Sequence, residues 1–271
     1  MRTDILAFIK YIWVSNRPLI LFSMIFIASV QLLLIYFNST LEIAPMVEMF
    51  LSQLPAQFTD SFGDDILSQI SVEGTIAFGL EHPIVITLTT FISFSMISRN
   101  IGSNSDNRIM EIILAHPFDR KVLISVLYVF TLFILVILTL SASFGATLAI
   151  YLFHKLDPEL MTKMMIVDFN SFLLHAFIMS YALFFSVWFK DIAKAVRVSA
   201  LIAFVFYFIN IISDFWDSLA FTKYFNFFSY FNPEKIMVGY DRTGLEMAIL
   251  AICTAILFVS SFRIFNRKDI S

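Results

Sequence analysis

The chain has 271 residues, 59% of them hydrophobic and 14% charged, with 33 phenylalanines and a mean hydropathy of +0.85. A soluble core has no use for that much apolar surface, so lipid must solvate part of it. The net charge of −3 leaves no basic field to capture phosphates, which excludes nucleic acid as a partner, and the single cysteine, Cys253, excludes an internal disulfide.

From the start of the chain, residues 4–16 put Ile5, Phe8, Ile9 and Ile12 on one helical face and Lys10 and Arg17 on the other. This pattern predicts an interfacial helix, with Pro18 permitting a turn into the first span. A cleavable signal would need a continuous apolar stretch and a small-residue cleavage site, and the sequence has neither.

Crossing the hydrocarbon takes about 20 mostly apolar residues as a helix. Six segments meet that requirement: 19–37, 76–97, 122–153, 169–189, 198–216 and 247–265. The second is expected to run across Gly79 and Pro83, and the third is long enough that it must tilt or project beyond the lipid. With no internal repeat or low-complexity linker, the expected fold is an all-α polytopic membrane protein forming one domain over residues 1–271. In the long segment after the first span, Ile43, Met46, Val47, Phe50, Leu51 and Leu54 recur at helical spacing and predict a surface helix.

Basic residues set the expected orientation. Segments 1–18, 98–121, 190–197 and 263–271 carry three, four, three and three Lys or Arg, against none, two and three in segments 38–81, 154–168 and 217–246. The positive-inside rule then puts both termini in the cytoplasm of a multi-pass protein of the cell (inner, cytoplasmic) membrane. Segment 38–81, with seven acids and no Lys or Arg, reads as outside.

Between the second and third spans lies the stretch NRIMEIILAHPFDRK, residues 107–121. Ser105 or Asp106 can cap a short helix there. Ile109, Met110, Ile113 and Leu114 share one face while Arg108 and Glu111 point away, and Pro117 stops the element before Arg120 and Lys121. Taken by itself, such a helix either rests its apolar face on the membrane surface or docks into a partner.

Polar residues inside the spans are candidates for a translocation path. Asn210 and Asp214 share a face at i, i+4 spacing near the outer end of the fifth span. They either line an exit, or Asp214 snorkels to interfacial water while Asn210 bonds a neighbouring helix. Thr87, Thr90 and Ser93 in the second span, with Thr89 and Ser95, and Ser141, Ser143 and Gly145 in the third, either mediate close helix packing or line a groove. His175, with Asn170 and Ser171, is equally open. The aromatic run FTKYFNFFSYF, residues 221–231, has the composition of an interfacial belt.

No chemistry of the chain's own is expected. The nearest approach to a phosphate-binding loop, Gly74 to Gly79, is followed by Leu80 and Glu81 where Lys and Ser/Thr are required. The histidines, His82, His116, His154 and His175, lack metal-ligand spacing, and no nucleophile elbow occurs. Neither a catalytic residue nor a bound cofactor or metal is expected.

The stretch RIMEIILAHPFDRKVLISV resembles the signature between the second and third spans of ABC-2-type transporter permeases, with Met110, Glu111, Leu114, Pro117 and Arg120 matching in spacing. The ending FRIFNRKDIS is similar to that family's basic C-terminal motif, and YFNPEKIM, residues 230–237, resembles the segment that precedes its sixth span. The chain departs from the family at NIGSNSDNRI, where no acid precedes Gly102 in register. The resemblance implies the membrane subunit of an ATP-driven exporter that is not itself an enzyme. It implies a coupling helix whose knobs are Ile109, Met110, Ile113 and Leu114, with Arg108, Glu111 and Arg120 at the rim. It also implies a separate ATPase subunit holding ATP and magnesium, and a second permease subunit, identical or similar, enclosing a path along spans two and five. The cargo would be hydrophobic or amphipathic: a peptide, drug or lipid. In this family the 221–231 region dips back as short re-entrant helices, which stands as a second reading beside the aromatic belt. The alternative from another class is an ATPase-independent polytopic protein, a secondary carrier or intramembrane enzyme.

Overall fold

The computed structural model describes residues 2–41, 43–53, 70–101, 120–189 and 191–267. Among these residues there is no strand. The α-helices, in chain order, are α1 (Arg2–Thr40), α2 (Ile43–Leu51), α3 (Val72–Glu81), α4 (Pro83–Ile101), α5 (Arg120–Phe153), α6 (Pro158–Trp188), α7 (Ile192–Phe215), α8 (Pro233–Val238) and α9 (Thr243–Arg267). Two 3₁₀ segments, Asp217–Tyr224 and Phe227–Tyr230, lie between α7 and α8. Five helices are long and apolar enough to cross a membrane, and six if α3 and α4 form one bent span. The chain is thus helical and compatible with a multi-pass membrane protein.

Local signals set the helix starts. Asp157 caps α6 by accepting from the Glu159 amide at 3.3 Å, and Pro158 takes the first helical position, where its missing N–H costs nothing. Asp191 caps α7 through the Ala193 amide at 2.8 Å, and Ser71 caps α3 through that of Gly74 at 2.9 Å. Gly239 ends α8 in the left-handed region, at φ 95°, which a glycine enters without steric cost.

Three sequence expectations are corrected. The turn expected at Pro18 is absent, because α1 runs through it. Ile12, Asn16 and Ile20 form a buried line at i, i+4 and i+8 on either side of the proline, so packing against the bundle holds the helix on course. At 1.5 Å per residue α1 is about 58 Å long, well beyond a hydrocarbon core of about 30 Å. The second span, expected as one element over 76–97, is broken. His82 leaves the helix, Pro83 restarts it, and the two parts meet at 40°. The fourth element begins eleven residues earlier than position 169, at Pro158. The other long helices keep the expected centres.

The long elements run alternately up and down. Ser39 meets His154 at 2.6 Å, so the ends of α1 and α5 lie together, and Asn38 donates to the Ile70 carbonyl at 2.6 Å just ahead of α3. Asn170, in the N-terminal half of α6, donates to the Tyr230 carbonyl at 3.0 Å. These contacts define the distal end of the bundle, opposite the start of α1 and the end of α9. The central pillar is α6, which packs against α4, α5, α7, α8 and α9.

Small residues make the tightest crossing. Ala142, Gly145, Ala146 and Ala149 lie on one face of α5, and a Cβ on Gly145 would collide with the Ala28 backbone of α1. In lipid, which is as apolar as the side chains, such close backbone approach is a main source of helix association. Residues 43–51 are helical as the spacing predicts, with Leu51 buried and Met49 and Phe50 exposed. Leu54 lies outside the described residues.

Candidate functional site

The site begins with the opening between α4 and α7. These helices diverge to leave a groove of about 550 Å³ whose walls include Ile86, Phe91 and Phe94 on one side and Leu201, Phe204 and Tyr207 on the other. Thr87 and Thr90 face into it, and Thr90 brings a buried hydroxyl with no hydrogen-bond partner. Arg197, in the second turn of α7, stands at the end nearer the termini and Phe228 closes the distal end. From Arg197 to Tyr207 the helix rises about 15 Å.

The closure by Phe228 is built from polar bonds. Asn226 is buried, donates to the Phe206 carbonyl of α7 at 2.8 Å and accepts from the Phe228 amide at 3.0 Å. The Ser229 hydroxyl donates to Asn210 Oδ1 at 2.8 Å. Asn232 donates to the Ser229 carbonyl at 2.6 Å and to Glu246 of α9 at 2.9 Å. Irregular backbone at a membrane domain's edge is stable only where protein groups satisfy it, and side-chain amides do so here. Phe227 packs its ring on Phe206 at 5.2 Å and on Phe177 at 5.0 Å, wedging the 3₁₀ segment between α6 and α7.

The aromatic run 221–231 therefore divides. Phe221, Tyr224 and Phe225 are exposed, as an interfacial belt requires, whereas Phe227, Phe228 and Phe231 are buried within the bundle. A second, largely apolar hollow of about 470 Å³ lies behind the run, between Tyr181, Phe206, Phe227 and Cys253.

The sequence candidates fare differently. Thr87 and Thr90 line the groove together. Ser93 is fully buried away from it, its hydroxyl donating to the Thr89 carbonyl of its own helix at 2.9 Å. Asn210 is engaged with Ser229 at the closure, one turn from the groove wall. Asp214 belongs to the last turn of α7, but its side chain lies outside the described residues, as do residues 102–119 with Arg108, Ile109, Met110, Glu111, Ile113, Leu114 and Pro117. Arg120 is the first residue of α5. Of the other hydroxylated residues, Thr89 and Ser98 bond carbonyls of their own helix, whereas Ser143 donates across to Asp168 of α6. His175 is buried, its Nδ1 2.8 Å from the Ser171 carbonyl and its Nε2 without a partner.

Sequence reasoning missed Arg197 as a groove residue, having counted it only for topology, and missed Asp168 altogether. The signal for Asp168 was present: Asp157-Pro158 is a helix start, and from it residue 168 falls ten residues inside. Among the described residues, no group of His, Cys, Asp and Glu could hold a metal ion. No family model and no curated protein sequence matches this chain.

Proposed function

We propose that the chain is the membrane subunit of an ATP-driven exporter of ABC-2 type, located in the cell membrane with both termini cytoplasmic. Two such subunits, identical or similar, enclose the path, and a separate ATPase subunit holding ATP and magnesium drives it through the 107–121 segment. The observation that carries the reading is the α4/α7 groove. It lies between the second and fifth spans, where the sequence motifs imply a path, and it combines aromatic walls with a few hydroxyls and one cation. Such a lining suits a hydrophobic or amphipathic cargo, because burying apolar surface supplies affinity while Thr87, Thr90 and Arg197 orient a polar end.

The coupling reading rests on Ile109, Met110, Ile113 and Leu114 acting as knobs in a groove of the ATPase subunit, with Arg108, Glu111 and Arg120 at the rim. Closure of the nucleotide sandwich would then move span bundles as near-rigid bodies. Co-purification from the native host tests it: the chain carrying Ile113→Asp and Leu114→Asp should lose its ATPase subunit while keeping its own fold. Retention of a stimulated ATPase with both knobs charged would refute the docking assignment.

The broken second span is the one feature that points to a secondary carrier, since carriers build binding sites at helix breaks near the membrane midplane. Here α4 alone, at about 28 Å, nearly matches the hydrocarbon thickness of about 30 Å. If α4 crosses by itself, the His82 break falls at the membrane's edge rather than near its midplane, which supports the exporter reading.

A further inference from the structure

Four helices meet in a narrow crevice near the distal end: Gln31 from α1, Ile76 and Leu80 from α3, Ala142, Ser143 and Ala146 from α5, and Met164 and Asp168 from α6. The crevice has no room for a water molecule. Asp168 is half-buried and accepts a hydrogen bond from the Ser143 hydroxyl. Gln31 is 1% exposed and its Nε2 donates to the Ile76 carbonyl at 3.2 Å, while its Oε1 is buried with no partner. The amide cannot be turned over to relieve this, because Oε1 would then face the Ile76 carbonyl, acceptor against acceptor. Gly79 completes the packing, since a Cβ there would run into the Gln31 amide.

A buried acceptor left unpaired is destabilising, so the missing donor asks for identification. Ser143 has spent its proton on Asp168. The remaining side chains of the crevice are apolar, and the helical amides around them are used within their helices. One group on the walls becomes a donor on gaining a proton, and that is Asp168.

We infer that Asp168 is a proton-binding site: in the closed bundle its carboxyl carries a proton taken from the distal aqueous face and donates it to Gln31 Oε1, while Ser143 donates to its other oxygen. Uptake is carboxylate plus proton giving carboxylic acid, with no other change. Its release leaves a carboxylate and an amide oxygen in one dry crevice, two acceptors that repel, and loosens the seam joining α1, α3, α5 and α6. The absence of room for water selects a proton over a sodium ion, which needs several oxygen ligands at once.

Among the described residues, none forms an ion pair with Asp168 and no other titratable side chain lines the crevice. Toward the same end α3 carries Glu73 and Glu81, and the connection just after α5 carries His154, which meets Ser39, and Lys155. On α6 itself Lys163 is paired with Glu159 at 2.8 Å and is also close enough to feel Glu73 and Asp157, and His175, two turns inward, bonds Ser171.

The test is infrared difference spectroscopy of the full chain in lipid nanodiscs, following the carboxylic-acid carbonyl band as pH is raised. The wild type should show a band that disappears on raising pH, Asp168→Asn should lack it, and Gln31→Met, which keeps the volume and deletes the acceptor, should move it toward the frequency of an unbonded acid. A wild type without the band, an Asp168→Asn variant that retains it, or a band unmoved by Gln31→Met would each overturn the assignment. If the Asn variant does not accumulate, Gln31→Met alone decides. Loss of the band on adding sodium chloride at constant pH would overturn it in favour of a metal-cation site. None of these readouts depends on an ATPase partner, so failure here and failure of the exporter reading are separate results.

Discussion

The two sides of the bundle are built on opposite rules. Along the α1–α5–α6 seam, backbones approach until Gly145 touches Ala28, and polar groups such as Ser143 and Asp168 reach across helices. Along α4 and α7 the helices stand apart around about 550 Å³, and Ser93 and Ser98 return their hydroxyls to their own helices. A seam held by backbone contact and directed bonds resists sliding, whereas a groove faced by rings and methyls can widen or narrow with little loss. The α4/α7 side is where this molecule can change shape.

The sharpest way to break that comparison is to force the seam apart. Gly145→Leu should destabilise the protein by about 3 kcal/mol or more, because the obstacle is α1 backbone rather than a side chain that can swing away. Thermal unfolding in detergent would read this as a large drop in midpoint or as failure to accumulate. An unchanged midpoint would mean the seam is no tighter than the groove.

A smaller effect is expected at the closure. Asn226→Leu removes the donor to Phe206 and the acceptor for Phe228 and should cost about 2 kcal/mol, with protease cleavage appearing between residues 217 and 232. Protection equal to the wild type would show that Phe227 and Phe228 hold the closure by packing alone.

The least stability change belongs to the groove. Ala200→Trp should fill it with a shift within about 0.5 kcal/mol, as expected for a site that is not close-packed, and under the exporter proposal nucleotide-dependent transport in vesicles should fall sharply. A destabilisation as large as that from Gly145→Leu would show that the groove is packed core, and unaltered transport would remove it from the path.

How much could be read beforehand differs by element. The centres of α5, α7 and α9 follow from apolar length, since nothing else in the chain competes for those residues. The start of α6 was also legible in Asp157-Pro158, yet hydropathy passed over it because Asp157, Glu159 and Lys163 lower the average. Pro83 carried the signal for a broken span, and Pro18 carried the same signal falsely. What separates them is the buried line of Ile12, Asn16 and Ile20, a tertiary fact. Thr87, Thr90 and Ser93 look alike in sequence, and only helix rotation puts the first two in the groove and the third in the core. Asn226 and Phe228 sit in a run whose composition suits interface and interior equally, so their burial could not be assigned from residue type.

By itself the sequence determined the helical, lipid-compatible character of this chain and the approximate centres of α5, α7 and α9, because each depends on transfer energy or on local spacing summed along one segment. The tertiary structure alone decided which proline bends a helix, which hydroxyl faces an opening, and which polar atoms meet in the crevice around Asp168. Those outcomes are set by the rotation and depth of one helix against another, quantities that involve residues far apart in the chain and leave no trace in any single stretch of it.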